Sequence, residues 1–95
     1  MTQRAFDEDM IHELYEAFVA LDSEEACKQL LEDLCTRKEV EQMAQRLRAA
    51  KLLMEGKTYT QVIEQTNISS ATLSRVSRCV QYGSGYSSLL KEEEK

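Results

Sequence analysis

Between positions 69 and 78 the sequence interleaves small hydroxyl side chains with two arginines, a combination suited to hydrogen bonding with DNA. If this segment is helical, Ser70, Thr72, Ser74, Arg75 and Arg78 lie on its polar face. Their hydroxyl and guanidinium groups can bond to phosphate oxygens and base edges, and the face carries no acidic or bulky side chain that would repel or block a duplex. The pattern therefore predicts a helix that contacts DNA.

This helix is the second half of a predicted helix-turn-helix. The first helix begins at Thr60, a residue type suited to N-capping, and ends near Thr66–Asn67, because asparagine tolerates the left-handed conformation of a sharp turn. Ile68 offers an apolar plug for the turn, and Ser69 is a suitable N-cap for the second helix. The apolar face of that helix consists of Leu73, Val76 and Val80. Such a corner can place its second helix in a DNA major groove.

We predict that DNA contacts come from the start of the first helix, the turn and the second helix. The predicted contact residues are Lys57, Thr60, Gln61, Ser69, Ser70, Ala71, Thr72, Ser74, Arg75 and Arg78. The cationic members, with Arg46 as a further candidate, would bind phosphates, while the small residues near the helix N-terminus approach base edges. Few of these side chains can make bidentate contacts to bases, so we expect DNA shape and bridging water to carry much of the specificity.

Other functional classes remain as alternatives. The corner could be a plain packing element of a protein-interaction adaptor, whose acidic first helix and apolar surface would bind another chain. His12 is the single histidine and no nucleophile–base set is present, so we predict that the protein is not an enzyme. Cys27, Cys35 and Cys79 lack C-x-x-C spacing, so we expect no metal site, and we expect reduced thiols in a cytoplasmic protein.

Charge is distributed unevenly along the 95-residue chain. The formal net charge is −5, which by itself argues against nucleic acid. Residues 1–35, however, carry ten acidic and two basic side chains, whereas residues 36–82 carry eight basic and four acidic ones. This split predicts a DNA-facing part after residue 36 and a solvent-facing or dimerising part before it. No apolar run approaches the length of about eighteen residues that marks a membrane-spanning helix, so we expect no membrane partner.

Three helices precede the corner, and the predicted fold class is an all-α helical bundle of five helices. The first spans about residues 8–21, and the second begins after Ser23. The third has the clearest boundaries, because Thr36 and Glu39 fit a capping box and Gly56 stands where a left-handed C-terminal cap belongs. These caps predict a third helix of about 18 residues.

The third helix carries an apolar seam. Its members are Val40, Met43, Ala44, Leu47, Ala50 and Met54. Together with the apolar stripes on the first two helices, the seam exceeds what a small corner can cover, so we predict a homodimer in which the excess is buried between subunits. In that dimer we expect Phe18, Leu30, Val40 and Leu47 to be largely inaccessible to solvent.

The predicted organisation is one domain over residues 1–86. Within it, residues 1–55 form dimerisation helices and residues 59–82 form the helix-turn-helix, which we term the reading head. Residues 87–95 are mostly polar and acidic, and we predict that they form a short mobile tail. In an alternative arrangement, Leu89 and Leu90 would dock on the dimer.

Between Leu34 and Tyr86 the sequence contains CTRKEVEQMAQRLRAAKLLMEG in the third helix, TYTQVIEQTNISSATLSRVSRC in the reading head, and YGSGY after it. These stretches resemble the YerC/YecD-type proteins, a family of bacterial helical DNA-binding regulators related to the tryptophan repressor. The resemblance implies an intertwined homodimer whose two heads enter successive major grooves of double-stranded DNA. It also implies a transcriptional regulator, which we expect to be a repressor, while the operator sequence and any effector are left open.

The resemblance further implies a role for two arginines. In the tryptophan repressor the amino-acid corepressor lies between two arginines, and Arg46 and Arg75 stand at the matching positions. Where the repressor has glycine after the second arginine, this sequence has Val76, whose side chain we expect to fill the space of the indole ring. We therefore predict that tryptophan is not the ligand and name no cofactor. The two arginines would flank another effector, contact phosphates, or pair with Glu41 or Glu64.

Overall fold

A computed structural model of the protein describes residues 3–91, with side chains from residue 7 onward. The described residues form α1 (Gln3–Val19), α2 (Glu24–Leu34), α3 (Arg37–Met54), α4 (Tyr59–Thr66), α5 (Ser70–Tyr82) and α6 (Gly85–Leu90). No strand occurs between residues 3 and 91, so the predicted all-α fold is confirmed, with one helix more than predicted. α1 begins five residues earlier than expected, because no proline or glycine precedes its acidic residues to stop the helix.

The chain forms two compact units, residues 1–37 and residues 38–95, and the single domain predicted over residues 1–86 stays a prediction. The first unit contains α1 and α2. Ser23 caps α2 by accepting a hydrogen bond from the Ala26 amide at 3.0 Å, as the sequence predicted. No residue of α2 is buried, and Leu14 and Phe18 on α1 are 40% and 47% exposed. This unit therefore leaves much of its apolar surface accessible.

α3 has the predicted length of 18 residues and ends in the predicted left-handed glycine. Gly56 has φ +94°, its amide donates to the Leu53 carbonyl at 3.0 Å, and the Lys57 amide donates to the Leu52 carbonyl at 3.1 Å. These two bonds form a Schellman motif, which satisfies the last carbonyl groups of the helix. The motif sets where the chain leaves α3 for the reading head.

Gly56→Ala is expected to lower the free energy of unfolding by about 1–2 kcal/mol, because an L side chain in the left-handed region is strained. A Cβ at this position would meet nothing within 4 Å, so the loss of unfolding free energy reports backbone strain and not a steric clash. Gly56→Asn is the control, and it should cost less because asparagine tolerates this conformation. Chemical denaturation measures both variants, and equal costs would contradict the explanation.

The buried core lies in the unit of residues 38–95. It consists of Ala49, Ala50, Leu52, Val62, Ile68, Leu73, Val76 and Leu90. The predicted plug Ile68 and two members of the predicted apolar face of α5, Leu73 and Val76, are thus confirmed as core residues. Of the predicted seam on α3, Ala50 belongs to this core, whereas Met43 and Leu47 are 37% and 41% exposed. Met54 is half-buried and packs against the core, so Met43 and Leu47 are the large seam residues that remain accessible to another chain.

The end of the chain differs from the predicted mobile tail. α5 ends at Gly83, where an added Cβ would lie 2.8 Å from the carbonyl oxygen of Cys79, so the tight turn requires glycine. The chain then forms α6, which packs against α5 and buries Leu90 to 5% exposure. Burying a leucine contributes about 1.5–3 kcal/mol, which stabilises a helix at positions 85–90 instead of a tail. Residues 92–95, the acidic end of the predicted tail, lie outside the described residues.

Candidate nucleic-acid interface

The first helix of the corner, α4, is set by a capping box at its start. The Thr58 hydroxyl accepts a hydrogen bond from the Gln61 amide at 3.2 Å, and the Gln61 side-chain oxygen accepts one from the Thr58 amide at 2.9 Å. The predicted N-cap at Thr60 was wrong, because the residue three positions later is Ile63, which cannot return a hydrogen bond. Lys57, Thr60 and Gln61, all predicted DNA contacts, are exposed at this end of α4.

The turn between α4 and α5 is fixed by backbone conformation, hydrogen bonds and burial. Asn67 has φ 63°, so its predicted left-handed conformation is confirmed. Its amide donates to the Ile63 carbonyl at 2.8 Å, and the Thr66 hydroxyl donates to the Val62 carbonyl at 2.7 Å. Ile68 is 2% exposed and anchors the turn in the core. The turn therefore has little freedom to change the angle between the two helices.

α5 begins as the sequence predicted, with Ser69 as its N-cap. The Ser69 hydroxyl accepts a hydrogen bond from the Thr72 amide at 3.2 Å and lies 3.0 Å from the Thr72 hydroxyl. Farther along the helix, Leu73 and Val76 are 0% and 1% exposed. The apolar face thus holds α5 in the core, and its polar face remains accessible.

The predicted contact residues of α5 occupy this accessible face. Five of them are exposed: Ser70, Ala71, Ser74, Arg75 and Arg78. Thr72 is half-buried, and no residue of α5 is acidic. Accessible hydroxyl, methyl and guanidinium groups are what phosphate and base-edge contacts require, and their contact with DNA stays a prediction.

The two arginines identified by the family resemblance lie at one cavity. This open cavity of about 480 Å³ is lined by Arg46, Ala71, Thr72 and Arg75. The predicted alternative, in which these arginines pair with Glu41 or Glu64, stays a prediction. The cavity therefore presents two cationic side chains, one from α3 and one from α5, to which an anionic group can bind.

Gln45 belongs to this site, although sequence analysis missed it. Its side-chain nitrogen donates to the Thr66 carbonyl oxygen at 2.9 Å, a half-buried contact between residues 21 positions apart. The bond joins α3 to the end of α4. A glutamine among the polar residues of α3 carries no sequence signal for such a contact, because only the packing of the helices brings the two groups together.

The described part of the chain offers little for a metal site or a membrane-spanning helix. Within residues 3–91 no group of three or more His, Cys, Asp or Glu side chains could hold a metal ion. Cys27 and Cys35 are half-buried free thiols, and Cys79 is an exposed one. No described helix has both the length and the apolar character needed to cross a membrane. The polar face of α5 and the arginine cavity are therefore the surfaces that offer recognition chemistry.

The chain is similar to known proteins over most of its length. The family model described as Trp repressor protein matches residues 9–94. The uncharacterized protein YerC of Bacillus subtilis (strain 168) is 41% identical over 73 residues, which are 77% of this chain and 70% of that protein. The similarity therefore includes α2, α3 and the whole reading head.

Solved structures show the same architecture. The crystal structure of a protein from Staphylococcus aureus, provisionally described as a Trp repressor, has a TM-score of 0.87 and 34% identity, covering 99% of this chain and 95% of that chain. A TrpR-like protein from Eubacterium eligens ATCC 27750 has a TM-score of 0.85 and 33% identity, with 90% of each chain covered. The likeness extends well beyond the reading head.

Proposed function

Because the chain belongs to the Trp repressor family of helix-turn-helix DNA-binding regulators, we propose that it binds operator DNA sequence-specifically and represses transcription. In this proposal the protein is a cytoplasmic homodimer, and α5 of each subunit enters the major groove. The family membership confirms the resemblance seen in the sequence. The repressor role, the dimer and the individual DNA contacts go beyond that membership and are part of the proposal.

The observation that supports the proposal is that α5 has one buried apolar face and one exposed polar face. Leu73 and Val76 anchor one side in the core, while Ser74, Arg75 and Arg78 are exposed on a helix that has no carboxylate. A rigidly held helix with small polar groups and cations on its accessible face suits backbone and base-edge contacts in a major groove.

Accessible apolar surface supports the homodimer. On the first unit Ile11, Phe18 and Leu34 are 46%, 47% and 51% exposed, and on α3 Leu47 is 41% exposed. Exposed apolar surface of this kind suits a protein–protein contact. A two-fold dimer would cover it and would also supply two reading heads for a palindromic operator.

Selection of bound sequences from a random double-stranded DNA pool tests the proposed function, with candidate metabolites added in parallel selections. We expect one enriched, two-fold symmetric site, and we expect its affinity to fall steeply as salt rises, since phosphate contacts release counterions. Absence of an enriched site, together with salt-insensitive binding to another protein, would favour the adaptor alternative. Expression of a gene that adjoins the selected site, measured with and without the protein, distinguishes repression from activation.

Free tryptophan is expected not to bind. Val76 is 1% exposed and belongs to the buried core, so its side chain fills the position that the family resemblance assigns to the indole ring, and it does not line the open cavity beside Arg75. Calorimetry with tryptophan at millimolar concentration should give no saturable heat, and DNA affinity should not change. Saturable heat would show that a pocket exists despite Val76. Val76→Ala is measured beside the parent, because it opens space at this position. It does so at a lower cost to folding than Val76→Gly.

A further inference from the structure

The end of α4 is held by hydrogen bonds from both sides of the turn and from α3. Inside the corner, the Thr66 hydroxyl donates to the Val62 carbonyl at 2.7 Å and accepts from the Ile68 amide at 3.3 Å. From α3, the Gln45 side chain donates to the Thr66 carbonyl at 2.9 Å. Carbonyl groups at a helix C-terminus lack partners within the helix, so the glutamine supplies one that α4 itself cannot.

The position of Gln45 links this bond to the DNA-contacting surface. The next residue, Arg46, lines the same cavity as Thr72 and Arg75 of α5. Consecutive residues of α3 therefore contact the end of α4 and border the first turns of α5. Apolar packing of α5 is non-directional and leaves small sliding movements possible, whereas a hydrogen bond requires one distance and one angle.

We propose that Gln45 is a positioning residue for DNA binding, which fixes the end of α4 on α3 and thereby the direction in which α5 leaves the turn. This inference rests on the proposed function, because it assigns a role within the DNA-binding site. Gln45 acts through Thr66 and needs no contact with the duplex. Its loss leaves every phosphate contact available but increases the number of orientations that the reading head samples before it binds.

The test compares Gln45→Met with Gln42→Met in the full-length protein. Gln42 is an exposed residue of the same helix, so the control makes the same chemical change without removing the bond to Thr66. Methionine is unbranched like glutamine and favours helix, but it cannot donate a hydrogen bond. Gln45→Glu is a second variant that keeps a polar side chain and likewise cannot donate when ionised.

Two measurements are made on each variant. Amide hydrogen exchange of Asn67 and Ile68 in the free protein reports opening of the turn, and titration of the selected DNA at several salt concentrations reports affinity and salt slope. For Gln45→Met we expect exchange about fivefold faster and DNA affinity about fivefold weaker for each reading head, which is the size of one net hydrogen bond. The slope of log affinity against log salt should stay at the parent value, because no phosphate contact is lost.

The outcomes separate the positioning role from its alternatives. If the parent binds DNA but Gln45→Met and Gln45→Glu match Gln42→Met in exchange and affinity, the inference is overturned. A salt slope that becomes shallower by about 0.9 for each subunit, or about 1.8 for the dimer, would show instead that Gln45 contacts a phosphate directly, which also overturns the inference. If Gln45→Met lowered thermal stability but left DNA affinity unchanged, Gln45 would have a structural role only, and the inference would be overturned. If the parent itself binds no DNA, the proposed function fails first, and this is visible without any variant.

Discussion

Leu47→Ala is expected to lower the free energy of unfolding by about 2–5 kcal/mol per copy, the cost typical of a buried leucine, although Leu47 is 41% exposed in the single chain. An apolar cavity of about 430 Å³ is lined by Leu47, Cys79, Gly83, Gly85, Tyr86 and Leu89. In the proposed homodimer a second copy covers this surface, so truncating Leu47 leaves a void in the interface. Chemical denaturation at several protein concentrations, combined with sedimentation equilibrium, measures the effect.

Leu73→Ala is the matched control, because Leu73 is 0% exposed within the chain itself. It should lower stability by a similar amount, whereas only Leu47→Ala should also promote dissociation at low protein concentration. A stability shift within experimental error for Leu47→Ala would place Leu47 at a free surface. If the parent protein had a mass near 10.9 kDa at micromolar concentration, it would be a monomer, and the proposed dimer with two reading heads would be wrong.

Short-range signals in the sequence were sufficient to predict most of the caps and turns in the reading head and just before it. Ser69 as the cap of α5, Asn67 in the left-handed turn and Gly56 after α3 are each determined by the residue's own conformational preference. The start of α4 shows where such reasoning can fail. Thr58 and Thr60 are equally good caps by residue type, and the reciprocal bond from Gln61 decides between them.

Features that depend on packing could not be predicted in the same way. Leu90 stands in a polar, acidic stretch and was assigned to a tail, yet its burial against the core makes α6 a helix. The bond from Gln45 to Thr66 spans 21 positions and depends on how α3 lies beside the corner. Arg46 and Arg75 were placed in one site only by family resemblance, since residues on separate helices have no fixed distance in a sequence.

Arg75→Ala is expected to weaken DNA binding about tenfold or more for each reading head, whatever the DNA sequence, because a hydrogen bond to a charged group contributes about 1.5–3 kcal/mol. Arg75 is exposed on α5 and borders the cavity that it shares with Arg46, where a phosphate group can be bound. Each lost phosphate contact lowers the magnitude of the salt slope by about 0.9, so a dimer should lose about 1.8. Titration of the selected DNA at several salt concentrations gives both quantities.

Two further variants make the Arg75→Ala result specific to the face of α5. Arg48→Ala removes the same charge from an exposed position on α3 outside the cavity, so its affinity and salt slope should stay close to the parent values. Thr72→Ala should instead change which DNA sequences are preferred, because the Thr72 hydroxyl, 3.0 Å from that of Ser69, lies in the first turn of α5 where base edges are approached. If Arg75→Ala and Thr72→Ala both bound the selected site like the parent, α5 would not be the DNA-contacting helix, and the adaptor function would replace the one proposed.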